Sequence, residues 1–104
     1  MNTLITGGAG FIGQHLARLL VERQSADDRL AVLDLPEADR RGLAGIEYEW
    51  LPGSVTDPDR VRAAVHGRDQ VYHLAADPSL WHPDPGHFDA VNHQGTRHVL
   101  AACQ

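Results

Sequence analysis

Residues 6–15, TGGAGFIGQH, place four glycines within seven positions, directly ahead of a stretch with helical spacing. Glycine costs about 0.5–1 kcal/mol relative to Ala inside regular structure, so a cluster this dense marks a backbone that something must approach closely. The preceding residues 2–5, NTLI, are short and apolar enough for a buried strand. Ile12, Leu16, Leu19 and Leu20 then recur at i, i+4, i+7 and i+8, which predicts a helix lying on a sheet along that face.

The same grammar continues along the chain. Residues 30–35, LAVLDL, form an apolar run broken only by Asp34 and ended by Pro36, as expected of a strand buried on both faces. Residues 46–51, IEYEWL, alternate apolar and acidic side chains and predict a third strand near a sheet edge. Asp57 is placed to cap a short helix through Val61, Ala64 and Val65. A fourth strand is expected at 70–75, QVYHLA, followed by a loop at 76–86 that holds three of the six prolines. Phe88, Val91, Gly95 and Val99 share one face of a final helix. Strands alternating with helices predict βαβ units: an α/β domain over residues 1–104, with a parallel sheet in the order 3-2-1-4 and helices on both faces.

Composition removes several function classes. The 104 residues are 42% hydrophobic with a formal charge of −5, as in ordinary globular chains. No stretch approaches the roughly 18 apolar residues of a membrane span, and Met1 leads into NTLIT without the basic and apolar regions of a signal peptide. A cytoplasmic location without a membrane partner is the expectation. No basic run offers a footprint for nucleic acid, and Cys103, alone, forms no internal disulfide. All nine basic residues are arginine. Without lysine, the G-x-x-x-x-G-K-[ST] loop of ATP and GTP hydrolases is excluded.

The glycine cluster joins a predicted strand to a predicted helix, where free N–H groups and the positive helix end form an anion site. Gly8, Gly10 and Gly13 fit G-x-G-x-x-G, whereas Gly7, Gly10 and Gly13 fit G-x-x-G-x-x-G; both registers suit a dinucleotide pyrophosphate. Asp34 follows Gly13 by 21 residues, at the end of the second predicted strand. A carboxylate there accepts hydrogen bonds from both hydroxyls of an adenosine ribose and repels a 2′-phosphate, which favours NAD over NADP. The plainer reading makes the glycines a structural turn and Asp34 a local cap before Pro36. Arg40 and Arg41, soon after Asp34, are the residues an NADP reading would use; otherwise they are a solvated pair.

TGGAGFIG, LAVLDL, LPGSVTD, VYHLAA and VNHQGTRHVLAAC occur in the order and spacing of the extended short-chain dehydrogenase/reductases. The chain thereby resembles the NAD-dependent epimerase/dehydratase family over essentially its whole length, and AADPSLWHPDP is similar to the sugar-epimerase and dihydroflavonol-reductase-like branch. The resemblance implies a Rossmann-type NAD(P)-binding domain, incomplete, corresponding to the N-terminal half of a doubly wound fold. It implies that Gly7, Gly10 and Gly13, with the amides of Phe11 and Ile12, hold the pyrophosphate and that Asp34 holds the ribose. Relatives often carry an aspartate where this chain has Ser54, which leaves Val55 to supply backbone or apolar contact to adenine. Leu74, Ala75 and Ala76 resemble the stretch beneath the nicotinamide ribose, and Asn92 matches a helix asparagine expected to bond the adjacent strand. The Tyr-x-x-x-Lys pair of such enzymes is missing: Pro52 and Ala76 follow Tyr48 and Tyr72 by four, so each tyrosine is expected to pack within its strand.

The remaining polar and aromatic residues carry weaker expectations. His93 and His98 are five apart, on different helix faces, and none of the seven histidines forms H-E-x-x-H, so no metal is expected. His73 reads as a satisfied core histidine, His82 and His87 as loop residues, Trp50 as sheet packing, and Trp81 as a loop residue able to face the site. Two functions remain: the cofactor-binding part of an oxidoreductase acting on a small molecule, such as a nucleotide sugar, or a dinucleotide-binding module without turnover. The apolar edge of the fourth strand further predicts self-association.

Overall fold

The computed structural model describes residues 1–76, 83–84 and 86–104. Trp81 and His82 lie outside the described residues. Four strands, β1 (Asn2–Thr6), β2 (Arg29–Asp34), β3 (Glu49–Pro52) and β4 (Gln70–His73), form one parallel sheet in the order β3-β2-β1-β4. This is the expected Rossmann-like arrangement. Thr6 sits at the carboxyl end of β1, level with Leu33 on one side and His73 on the other.

Alternation along the two central strands divides the core. Leu4, Ala31 and Leu33 face one side, where they meet Val61, Ala64 and Val65 of α2 (Pro58–Val65) and Val99 of α3 (Gly95–Ala102). Ile5, Leu30 and Val32 face the other, against α1 (Phe11–Arg23) and Leu43 of a 3-10 turn (Arg41–Leu43). Full burial of each large aliphatic side chain stabilises by about 1.5–3 kcal/mol, so β2, with Leu30 to Leu33 all buried, anchors both layers. Asp57 caps α2 as expected, accepting from the amides of Asp59 and Arg60 at 3.0 and 3.2 Å.

Three expectations need correction. The buried stripe of α1 is Gly13 and Ala17, flanked by half-buried Leu16, Leu20 and Val21, while Ile12 and Leu19 are 67% and 41% exposed. The reason is close approach: a Cβ on Gly13 would collide with the Gly7 carbonyl and lie 2.6 Å from the Gly8 Cα, so only small residues fit that face. The third and fourth strands are shorter than the apolar patterns, starting at Glu49 and ending at His73. Ile46 and Tyr48 join the core from outside β3. The last helix is not uniform, because a π-turn, Asp89–Gln94, precedes α3. No helix among the described residues is long and apolar enough to cross a membrane.

Candidate functional site

At the carboxyl ends of the strands, the loops after β1, β2, β3 and β4 converge on a cleft of about 200 Å³. Ligands of open α/β sheets bind at this end of the strands. Of the residues singled out in the sequence, Gly7, Gly10, Asp34, Ser54, Val55, Leu74, Ala75 and Ala76 line the cleft, and Phe11, Ile12 and Gly13 are not among its lining. Leu33, Leu35, Gly53 and Val91 line it too, without having been singled out. A stronger sequence signal existed for Val91, which shares the predicted apolar face of the last helix.

The glycine loop is built by its missing side chains. Gly7 has φ +72°, in the left-handed region, and a Cβ there would stand 2.7 Å from the Ala75 amide nitrogen. Gly10 differs: an added Cβ would meet one close neighbour, the Gly7 carbonyl at 3.3 Å, and the residue lines the cleft. Gly10 is also the N-cap of α1 and offers no side-chain cap. The first-turn amides, from Phe11 onward, are therefore the ones that a helix leaves without an intrahelical acceptor. The Gly7 amide bonds the Leu33 carbonyl and the Gly10 amide bonds the Gly7 carbonyl, which fixes the loop's own shape. The side chains of Phe11 and Ile12 point to solvent, 76% and 67% exposed, and Gly13 is buried beneath the loop.

Asp34 closes the opposite wall. One carboxylate oxygen accepts the Ala9 amide at 3.0 Å and the other accepts the Leu35 amide at 2.8 Å. Each oxygen keeps a further lone pair for a ligand hydroxyl. The bond from Ala9 also couples the acid to the glycine loop, so the two sequence signals form one structure. Ser54 is engaged locally: its hydroxyl pairs with that of Thr56 at 2.7 Å and accepts the Thr56 amide. The Val55 carbonyl accepts from the His98 ring at 2.8 Å, leaving its apolar side chain beside the cleft.

Around the site, the arginines are occupied. Arg40 stacks 4.7 Å over the Trp50 ring and reaches the Tyr48 hydroxyl, while Arg41 donates to both carboxylate oxygens of Asp39. That pairing holds the Asp39 carboxyl below the usual aspartate range. Tyr72 lies in β4 and is partly exposed, whereas Tyr48 precedes β3 and packs against the α1 layer. His73 is partnered through both ring nitrogens, and burial holds its imidazole below the ordinary histidine value. His93 pairs with Asp89 at 2.9 Å. The Asn92 carbonyl accepts the Thr96 hydroxyl.

Comparison with known proteins adds a family context. Residues 4–104 match the 3-beta hydroxysteroid dehydrogenase/isomerase family. The chain is 35% identical to 3 beta-hydroxysteroid dehydrogenase type 7 of Homo sapiens, an alignment covering 96% of this chain and 28% of that protein. It is 38% identical to 2-alkyl-3-oxoalkanoate reductase of Stenotrophomonas maltophilia, over 100% of this chain and 30% of the relative. Among solved structures, UDP-glucose 4-epimerase of Thermus thermophilus, crystallised with NAD, superposes with a TM-score of 0.82 at 32% identity, covering 99% of this chain and 33% of that one. The chain thus spans about three-tenths of the length of the proteins it matches.

Proposed function

The chain belongs to the 3-beta hydroxysteroid dehydrogenase/isomerase family, and from that premise we propose that it is the NAD-holding portion of an epimerase-, dehydratase- or reductase-type oxidoreductase. One observation carries the reading: Gly10, the N-cap of a helix start that has no side-chain cap, and Asp34 line the same cleft. That cleft suits a diphosphate, whose oxygens the amides of Phe11, Ile12 and Gly13 would receive. Asp34 would take the adenosine ribose through its remaining lone pairs. Leu74, Ala75 and Ala76 would lie under the nicotinamide ribose, and Val55 would supply an apolar contact to adenine. A bound nicotinamide supplies a hydride donor or acceptor for a carbonyl and secondary alcohol pair.

NAD is preferred to NADP on electrostatic grounds. A 2′-phosphate would meet the Asp34 carboxylate, whereas the hydroxyls of an unphosphorylated ribose would donate to it. The lysine-free chain lacks a Tyr-x-x-x-Lys pair, so these residues bind and orient while groups elsewhere move the proton. Alone, the chain acts as a dinucleotide-binding module. For the substrate, a nucleotide sugar follows from the sequence resemblance. The relatives at 35% and 38% identity favour a second class, apolar hydroxy or keto compounds such as their names describe. The outer edge of β4, with Tyr72 and Leu74 each 36% exposed, is the place where a further strand or a second copy would pair.

Calorimetric titration tests the cofactor assignment. NAD should bind more tightly than NADP, and Asp34→Ala should weaken NAD by about tenfold or more, the loss expected for hydrogen bonds to a charged acceptor. Unchanged NAD affinity in that variant would remove Asp34 from the site.

A further inference from the structure

Thr6 is fully buried, yet its hydroxyl serves three groups. Its oxygen accepts the amides of Leu74 at 3.1 Å and Ala75 at 3.2 Å, and it lies 2.6 Å from His73 Nδ1. On the far side of the ring, Nε2 is 3.0 Å from the Thr96 hydroxyl, which itself donates to the Asn92 carbonyl at 2.8 Å. These contacts allow one self-consistent set of proton positions. Because Thr96 spends its proton on the carbonyl, His73 must donate from Nε2. Nδ1 is then a bare acceptor that receives the Thr6 proton, and the Thr6 lone pairs receive the two amides.

The chain of bonds starts at the π-turn, crosses β4 and ends on the two amides that open the 74–76 segment. That segment is the cleft's floor on the side away from Asp34. Among the described residues it has no strand pairing beyond the bond from the Leu74 amide to the Thr6 carbonyl, because β4 ends at His73. Its height is therefore set by Thr6 alone, through its carbonyl and its side-chain hydroxyl, rather than by a continuing ladder. The opposing constraint is equally close: Gly7 has no room for even a Cβ against Ala75. Any slackening of Thr6 would let the segment shift relative to the glycine loop.

We propose that His73, locked as the Nε2-protonated tautomer between Thr6 and Thr96, is a positioning residue for the nicotinamide half of the cleft, an inference that rests on the dinucleotide reading above. Its action is confined to one half of the ligand. The adenine half is framed by Asp34 and by Val55, which α3 holds through the separate bond from His98.

The test compares ligands that do and do not reach the 74–76 segment. Calorimetric titrations with NAD and with ADP, which lacks the nicotinamide ribose, are run on the full chain as wild type, Thr96→Val and Thr96→Ser. Thr96→Val keeps the side chain's shape and removes the hydroxyl on which His73 Nε2 rests. It should weaken NAD by roughly three- to tenfold, the loss of one hydrogen-bonded constraint, with ADP affinity within about twofold of wild type. Thr96→Ser should restore NAD. Equal NAD affinity in wild type and Thr96→Val overturns the proposal, as does a parallel loss of both ligands or a failure of serine to rescue. Wild type that binds neither ligand instead overturns the dinucleotide reading, and the proposal with it.

Discussion

The two ends of the same four strands solve opposite problems. At their amino ends lies the larger depression, about 550 Å³, bordered by Asn2, Arg29, Glu49 and Arg68. There, charged side chains close off the backbone. The Asn2 amide is held by the Asp69 carboxylate at 2.6 Å, Arg29 covers the Ala26 and Asp28 carbonyls, and Arg68 covers that of Ala64. At the carboxyl ends the cleft is smaller, but glycine leaves the first turn of α1 uncapped beside a single oriented carboxylate. Volume therefore does not locate the site. What distinguishes the two ends is whether the backbone's hydrogen-bonding capacity has been consumed by the protein or left facing a cavity.

The comparison breaks most visibly if the glycines at the carboxyl end are merely structural. Gly7→Ala should give the largest effect, because it forces a side chain into the left-handed region and against the Ala75 backbone. Strain and overpacking together predict a loss of about 2 kcal/mol or more, read as a fall of at least roughly 8 °C in the thermal midpoint. Gly10→Ala sharpens the contrast, since an added methyl there has allowed backbone angles and one close neighbour, the Gly7 carbonyl at 3.3 Å, which must give by only a few tenths of an ångström. Its thermal midpoint should fall clearly less than that of Gly7→Ala while NAD affinity drops about tenfold or more. Equal losses of stability in the two variants would mean that the cleft beside Gly10 is not reserved for a ligand.

Arg68→Ala probes the other end. Its side chain is 14% exposed, donates to the Ala64 carbonyl at 2.9 Å and reaches Glu49 at 3.4 Å. Removing one hydrogen bond and a half-exposed ion pair should cost about 1 kcal/mol of stability and leave NAD affinity unchanged. A change in NAD affinity without a matching loss of stability would link the two ends and spoil the distinction between them.

How these ends came to be readable, or not, follows from the range of the forces involved. The sheet order and the Asp57 cap were readable because hydrophobic period and capping chemistry act over a few residues. Gly7, Gly10 and Asp34 were readable as a set because their spacing is fixed by one βαβ unit. The stripe of Gly13 and Ala17 was misread because counting apolar side chains rewards Ile12 and Leu19, whereas close backbone approach rewards the smallest residues. The π-turn was hidden because its Val91 also fits the spacing of an α-helix, and its Asn92 carbonyl is matched to Thr96 only in three dimensions. The partnership of Thr6 with His73 spans 67 positions and depends on β1 pairing with β4 in one register. No local pattern encodes it, although the placement of His73 in a buried strand correctly suggested a satisfied histidine.

Acid should produce the smallest effect, and it separates the two ends by the pH at which each responds. Burial holds the folded-state pKa of His73 below its ordinary value of 6.5, so the unfolded chain binds this proton more readily. By linkage, the stability that His73 contributes is fully present above about pH 6.5 and is lost as pH falls below it toward the folded value. Protonation puts a second donor on the ring, and the Thr6 oxygen already receives two amides. At the amino end the sign is the same but the window differs. The Met1 ammonium and the Ser25 amide hold the Asp28 carboxyl below its ordinary value of 3.8, so that contribution persists to much lower pH. In an amide-resolved NMR titration, the Leu74 and Ala75 signals should therefore move first, and that of Ser25 only near or below pH 4. His73→Asn should abolish the early movement alone. If Leu74 and Ala75 moved only together with Ser25, the ring would not be the group that ties the carboxyl-end floor to Thr6.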